Sequence, residues 1–360
     1  MKYWRGYIVA LILGAGAWAL DRFCAAHTAL VDMIYPYMTR LIEGYLAEFS
    51  ARVPFCIWQI LLFVALLLVV ANLVVIILRR WNVVRWFGWV LALVSLFVLL
   101  YTGMYGVNKY AGALAEDVRL EMSEYTVTEL IDAATYYRNE AIKLSEEVPH
   151  ENGKAKYGTF EDLAKQAADG FETMTYQEYA SVLSGTRLPV KKLGWTLFMG
   201  KTAGITVALT GESAVDPAVP DVALPWIMCR EMAHRMSIAG NSDANLAAYL
   251  TCLHNADPKF RYTANLIAYH FCCAGLKSVN TSTSIAALQT LEAGENEAMT
   301  HDLKDYDRYF GSEKKALVTD MCDLLTCWHL QYIVRPSQVD EKPLFDPLDP
   351  NQVDVSDIIR

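Results

Sequence analysis

Two long uncharged apolar runs constrain this chain more than any other feature of its sequence. The first covers residues 56–78 and the second covers residues 86–105, so they are 23 and 20 residues long. A helix needs about 20 apolar residues to cross the hydrocarbon core of a bilayer. A third, shorter run covers residues 6–20. Together the three runs predict a membrane anchor over residues 1–106 with three transmembrane helices.

The first of these runs permits two interpretations. Taken alone, its basic start and its apolar length match a cleaved signal peptide. The two further spans favour an uncleaved signal anchor instead. On that basis, residues 21–54 form a loop between the first and second spans, and a separate domain covers residues 107–335.

Basic residues predict how the anchor is oriented. Lys2 and Arg5 precede the first span, and Arg79, Arg80 and Arg85 crowd the turn between the second and third. Lys and Arg are enriched in cytoplasmic loops, so both places should be cytoplasmic. Three crossings then put the loop and the domain on the outer side. We therefore expect a multi-pass protein of the cell membrane, with a cytoplasmic N-terminus, an extracytoplasmic domain and the lipid bilayer as a partner.

The predicted outer loop contains an amphipathic segment. Apolar residues recur in it at helical spacing; they are Leu41, Ile42, Tyr45, Leu46 and Phe49. Polar residues lie opposite; they are Arg40, Glu43 and Glu48. Pro36 and Pro54 are expected to interrupt the segment. Such a helix could lie on the membrane surface or pack under the domain, and we favour packing.

The domain is predicted to be mainly helical, with a small sheet. Residues 126–129 (Thr-Val-Thr-Glu) match a capping box at the start of one helix. A second helix has an apolar face, made of Leu163, Ala164, Ala167 and Phe171. The alternation over residues 204–210 is typical of a half-buried strand, and a Pro-rich connection follows it. Residues 336–360 form a Pro- and Asp-rich tail.

Composition limits two further properties of the chain. Its net charge of -9, without a basic cluster, argues against nucleic-acid partners. Eight cysteines on an outward-facing chain would permit disulfides, and Cys322 or Cys327 could pair with a helix cysteine. Most of the cysteines lie in apolar helical stretches, where a free thiol behaves as a small hydrophobe. We favour free, buried cysteines.

The helix after the Pro-rich connection carries the segment Arg230-Glu231-Met232-Ala233-His234. One residue separates it from the His-Glu-x-x-His signature of zinc proteases. In that signature two imidazoles one helical turn apart bind one metal ion, and the Glu acts as general base. Arg230 replaces the first imidazole with a guanidinium, which has no lone pair to donate. Either the chemistry has been lost or the metal is bound in another way.

The order of a strand, a Pro-rich turn and this helix resembles that of zincin proteases. Several further segments resemble the bacterial membrane-protein family called domain of unknown function 3810, whose members resemble zincin peptidases. These segments are Thr210-Gly211-Glu212-Ser213-Ala214, Leu224-Pro225, residues 230–234, residues 241–250 and Phe260-Arg261-Tyr262-Thr263. The anchor of three spans with its outer loop fits the same family. The resemblance therefore implies a zincin-like α+β domain.

The family pattern implies metal ligands at positions 230, 234 and 243 and a base at Glu231. This chain departs from it at two of the three ligand positions, since position 230 is Arg and position 243 is Asp in place of Glu. Zinc–oxygen distances tolerate changes of only tenths of an ångström. Two other departures are Ser237, where the family has a loop glycine, and Asn241, where it has an acid.

Two functions follow from these departures. In the first, Arg230 replaces the metal by pairing with Asp243 or Glu231, His234 is structural, and no cofactor binds. The protein is then an inactive metallopeptidase relic that docks a peptide or protein on the outer side. The candidate groove comprises Thr206, Ala208, Glu212, Tyr249 and Tyr262, with strand 204–210 as the docking edge. In the alternative, an active zinc metallopeptidase uses Glu231 as base with His234, Asp243 and substitute ligands. A third possibility is a structural or assembly factor that acts through the membrane spans. The segment itself could also be an ordinary helix without any zincin relation.

Overall fold

The computed structural model describes residues 3–79, 82–175, 187–195, 202–311 and 315–336. This part of the chain is mainly helical and contains two small sheets. The predicted Pro- and Asp-rich tail lies outside the described residues, apart from Pro336.

The N-terminal part forms four long helices. They are α1 (Arg5–Ala26), α2 (Thr28–Ser50), α3 (Ile57–Leu78) and α4 (Val83–Met104). By length and composition, α1, α3 and α4 are able to cross a membrane, which confirms the three predicted spans. Helix α1 continues six residues beyond the predicted end of the first span. Its last turns include Asp21, whose carboxylate is 2.8 Å from Lys109 Nζ.

Helices α1 and α4 pack closely and run in the same direction. Gly6 lies against Gly88, and Leu20 lies against Gly103. A Cβ atom added at Gly6 would come within 2.5 Å of the Gly88 carbonyl carbon, so the backbones meet where neither residue has a side chain. Since α3 connects these two parallel helices, α1 ends and α3 begins at the same end of this group of helices. The domain follows α4 at that end.

Helix α2 fills the loop between α1 and α3. The expectation that Pro36 interrupts it was wrong, because Pro36 lies inside the helix. A proline removes one backbone hydrogen bond, and the helix continues on both sides of it. Arg40 Nε donates to the Met236 carbonyl oxygen at 3.1 Å, so α2 packs under the domain. Its exposed face is described below.

The first half of the domain contains short elements and two longer helices. They are a 3-10 helix (Gly106–Tyr110), α5 (Leu114–Asp117), α6 (Val127–Ser145), strands β1 (His150–Glu151) and β2 (Lys154–Ala155), and α7 (Phe160–Thr175). Thr126 and Glu129 form the predicted capping box at the start of α6. The predicted apolar face of α7 is buried, from Leu163 to Phe171.

The larger sheet has three short strands. They are β3 (Lys191–Lys192), β4 (Gly204–Val207) and β5 (Glu212–Val215), in the order β3-β5-β4. Strand β5 is parallel to β3 and antiparallel to β4. The predicted strand over residues 204–210 therefore ends three residues early. A turn with Gly211 at φ +63° begins the return to β5.

The rest of the domain is a cluster of helices. They are a 3-10 helix (Asp221–Ala223), α8 (Leu224–Arg235), α9 (Asn241–Leu253), α10 (Pro258–Val279), α11 (Ser282–Ala293), α12 (Glu297–Phe310) and α13 (Lys315–Trp328), which continues as a π-helix (His329–Val334). Their common core is aromatic and includes Tyr137, Trp226, Tyr249 and Trp328. All eight cysteines are free and buried, and Cys229 Sγ lies 3.7 Å from Cys252 Sγ.

Candidate functional site

The Glu231 carboxylate lies buried between α8 and β4. Its residue is 2% exposed, and both of its carboxylate oxygens have partners. Arg230 Nη2 donates to Oε1 at 2.7 Å, and Arg230 Nε lies 3.2 Å from the same atom. Thr206 Oγ donates to Oε2 at 2.9 Å. The carboxylate is thus held by a guanidinium and a hydroxyl, which supply the charge-assisted hydrogen bonds that a buried anion requires.

Strand β4 lies directly over the turn of α8 that carries Glu231. Gly204 and Thr206 face the glutamate, since alternate residues of a strand point to one side. A Cβ atom at Gly204 would approach Glu231 Cγ to 2.6 Å, so this position has no room for a side chain. Ser213 Oγ on β5 donates to the Glu231 carbonyl oxygen at 2.8 Å. The sheet and the helix are thereby joined at the site.

His234 lies one turn further along α8 and is also buried. Its Nδ1 atom is 2.7 Å from the Ile238 carbonyl oxygen and 3.1 Å from the Tyr105 hydroxyl. A carbonyl only accepts, so this contact assigns the proton to Nδ1 and the lone pair to Nε2. Burial lowers the pKa of His234, although the Glu231 charge opposes that effect. The imidazole is therefore neutral at pH 7.

The loop after His234 explains one of the departures from the family pattern. Ser237 has φ +71°, a left-handed conformation in which a glycine is less strained. Its hydroxyl lies 2.7 Å from Thr39 Oγ on α2. Ser237 thus occupies a backbone conformation that suits glycine, and it gains a contact that glycine cannot make.

Asp243 lies apart from the other predicted ligands. Its Oδ1 atom accepts from the Leu114 backbone N–H at 3.0 Å, and burial raises its pKa. The carboxylate lines a small cavity of about 120 Å³ between α2 and the loop after α8. Among the described residues it makes no hydrogen bond or ion pair with Arg230, Glu231 or His234. Of the two predicted partners of Arg230, the structure brings only Glu231 to it.

The donor set at this place does not fit a zinc ion. Structural and catalytic zinc sites use at least three protein ligands from Cys, His, Asp and Glu. Within the described ranges, no group of three or more such side chains is close enough to hold a metal ion. Arg230 has no lone pair and places a positive charge beside the Glu231 carboxylate.

The predicted groove residues fall into two sets. Thr206 lies at the site, and Ala208 is buried in the turn after β4. Tyr249 and Tyr262 belong to the core, and neither has accessible surface. Tyr262 donates to Asp302 Oδ2 at 2.8 Å. Because both tyrosines are enclosed, neither can contact a docked peptide in this conformation.

Glu212 joins the sheet to the start of α3. Its two carboxylate oxygens accept from the backbone N–H groups of Ile57 and Trp58, each at 2.9 Å. Lys191 Nζ lies 2.6 Å from Glu212 Oε1 and also donates to the Ser50 and Phe55 carbonyl oxygens. A carboxylate at the N-terminus of a helix satisfies donors that have no partner within the helix. Glu212 thus holds the start of α3, and its side chain is enclosed between α3 and the sheet.

Two buried ionisable residues near the site, Glu43 and Arg235, were not singled out as site residues from the sequence. Glu43 on α2 has no accessible surface, and neither of its oxygens has a hydrogen-bond partner in the described structure. Burial raises the pKa of Glu43 well above its usual value, although the Arg235 guanidinium opposes this. Burial also lowers the pKa of Arg235 to about 10. Glu43 was visible in the sequence as part of a polar helix face, but not as a buried group.

The family is shown by a match over most of the chain. The family described as Protein of unknown function (DUF3810) matches residues 31–324, from α2 into α13. The chain belongs to this family. No curated protein and no solved structure matches it. The match covers α3, α4 and every element of the candidate site.

Proposed function

We propose that this member of the DUF3810 family is a membrane-anchored, zincin-like protein that has lost its metal and docks an extended peptide or protein segment. In this proposal the N-terminus is cytoplasmic and the domain lies on the outer side. The observation that carries it is the Arg230–Glu231 ion pair. The guanidinium occupies the position of the first imidazole of the signature, and it binds the carboxylate that would act as the base.

The arrangement of β4 supports the zincin likeness and the docking. β4 is an edge strand of the three-stranded sheet, it is antiparallel to its neighbour, and it lies over α8. Asp216 lies opposite Ala203, and its N–H donates to the Ala203 carbonyl oxygen, so these two residues form a hydrogen-bonded pair. In an antiparallel ladder, hydrogen-bonded pairs alternate with pairs whose N–H and C=O groups point away from the partner strand. The backbone groups of Gly204 and Thr206 therefore point away from β5, where an added strand would bind them.

Metal analysis of the purified full chain tests the loss of the metal. We expect no stoichiometric zinc in the wild type, and the same in Glu231→Gln and His234→Ala. Zinc bound one to one in the wild type and lost in Glu231→Gln or in His234→Ala would overturn the proposal. Zinc gained by Arg230→His combined with Asp243→Glu would support it, because these changes restore the side chains that the family pattern implies at both positions.

Photo-crosslinking tests the docking. A benzoylphenylalanine at Val207, at the end of β4, should crosslink to extended peptides added to the full chain. The same group at Gln289, on the exposed side of α11, is the matched control. Equal yields at the two positions would contradict docking at β4 and would leave the absence of metal unaffected.

The alternative is an active zinc metallopeptidase with substitute ligands. One observation favours it, since the tautomer of His234 leaves Nε2 with a lone pair. A metal-ligating histidine also donates its other N–H, commonly to a backbone carbonyl. Zinc-dependent peptide hydrolysis that is abolished by Glu231→Gln would establish this alternative.

A further inference from the structure

Both ends of α2 are attached to the ends of membrane helices. It begins two residues after the end of α1, and only residues 51–56 separate it from α3. Lys191 fixes this short turn through the Ser50 and Phe55 carbonyl oxygens. Since α1 ends and α3 begins on the same membrane surface, α2 connects two points on that surface. Its 23 residues are about 35 Å long at 1.5 Å per residue, so it runs along the surface.

The polar side of α2 faces the domain. Thr39, Glu43 and Ser50 are at most 3% exposed, and Arg40 is 8% exposed. Thr39 contacts Ser237, and Arg40 donates to the Met236 carbonyl oxygen. The side of α2 that lies against the domain is thus polar. A helix on a water-soluble protein usually has the opposite arrangement, with its apolar side against the core.

The apolar side of α2 is uncovered. Its exposed large side chains are Leu30, Met33, Ile34, Tyr37, Met38, Leu41, Ile42, Tyr45 and Phe49, each with at least 40% of its surface accessible. A contiguous exposed apolar face of this size marks an interaction surface. Glu48 lies on this side in the last turn, and Arg52 follows it. Charged groups at the end of such a helix can reach the headgroups.

We propose that α2 is an in-plane membrane helix, with its apolar face in the boundary between the headgroups and the acyl chains. The occupant is lipid because both ends of α2 are joined to membrane helices by short connections, so α2 has no length of chain with which to leave the surface. Tyr and Phe side chains suit this boundary. The inference does not depend on peptide docking or on the absence of a metal.

The position of α2 also determines where the candidate site lies. The helix contacts the loop after His234 through Thr39 and Arg40. At the other end of the site, a Cβ atom at Gly211 would lie 2.4 Å from Ala47 N, so the turn between β4 and β5 rests on the α2 backbone. Where α2 lies beneath them, the turn between β4 and β5 and the loop after α8 are therefore separated from the lipid by the width of one helix, roughly 10 Å.

Spin labels on the full chain in phosphatidylcholine vesicles test this proposal. Labels are attached to cysteines at Leu41 and Tyr45 on the exposed face, at Leu67 in α3 and at Gln289 in the domain. The native thiols are buried, and the labelled wild type measures their background. The rates of collision with oxygen and with a water-soluble nickel complex are compared for each label.

We expect oxygen collisions to exceed nickel collisions several-fold at Leu41 and Tyr45, with a ratio between those at Leu67 and Gln289. A ratio equal to that at Gln289 would overturn the proposal, because it would place α2 in water. Low rates of collision with both reagents would overturn it as well, since they would show that another protein covers the face. Wild-type-like unfolding of each labelled variant shows that the label has not displaced α2.

Discussion

Removing the Arg230 guanidinium should destabilise the domain through the carboxylate that is left behind. Removing one partner of a buried ion pair costs about 3–5 kcal/mol. Glu231 is 3% exposed at its side chain, but Arg230 is 22% exposed, so some water can replace the guanidinium. Thr206 also keeps its hydrogen bond to Oε2. We therefore expect Arg230→Met to cost about 2–3 kcal/mol.

The double variant distinguishes the interaction between the two charges from the packing that Arg230→Met removes. Arg230→Met with Glu231→Gln leaves no buried charge, so it should cost little more than Glu231→Gln alone. The coupling free energy from this cycle should be about 2 kcal/mol. For a domain of this size it corresponds to about 4–8 °C in the midpoint of thermal unfolding. The assay is thermal unfolding of the full chain in detergent.

A surface pair provides the matched control. Lys192 Nζ lies 2.7 Å from Glu161 Oε1, the same distance as in the buried pair, but both of these side chains are about half exposed or more. Exposed pairs contribute little, so a cycle with Lys192→Met and Glu161→Gln should show no measurable coupling. A coupling below about 0.5 kcal/mol at Arg230 and Glu231 would refute the proposed structural role of the ion pair.

Four further predictions concern other parts of the molecule. Glu212→Gln should cost about 2 kcal/mol in unfolding free energy, because a charge that accepts two backbone hydrogen bonds and pairs with a lysine is lost, and an unchanged unfolding midpoint would contradict this. Burial lowers the pKa of His254 to about 3 and that of His329 to about 4, below the value of about 6.5 in an unfolded chain. As the pH falls, the unfolded chain therefore takes up protons before the folded chain does. The free energy of unfolding then decreases below pH 6.5, by about 1.4 kcal/mol per histidine at pH 5.5. His329→Gln should flatten this dependence between pH 7 and pH 5.5, and an unchanged slope would argue against it. All eight thiols should react with a maleimide only after unfolding, because all eight are buried. Rapid labelling of the native chain would contradict this burial. An alkaline phosphatase fused after residue 336 should be active and one inserted at residues 79–82 inactive, whereas the opposite pattern would reverse the predicted orientation.

Local patterns in the sequence predicted the elements that depend on local physics. The three spans follow from apolar length, and the capping box at Thr126 needs only contacts within one turn. The helix that carries Glu231 and the strand that begins at Gly204 also occur where the pattern placed them. Each of these features is determined by residues close together in the chain.

The parts that sequence did not predict depend on contacts between distant residues. Asp243 was expected to join Glu231, but its carboxylate caps the backbone at Leu114, and no spacing pattern reports such a partner. Tyr249 lies in the core because aromatic side chains surround it. The amphipathicity of α2 was visible, but the pattern did not show that the polar face would be the covered one.

The response of thermal unfolding to zinc tests the central claim most directly. A ligand that binds only the folded chain raises the unfolding midpoint, and the rise grows with the ratio of the free ligand concentration to the Kd. With Arg230 in place of an imidazole, we predict the same midpoint in excess chelator and in 100-fold excess zinc. A rise of several degrees with zinc in the wild type that is lost in His234→Ala would show that the site still binds the metal, and would contradict the account.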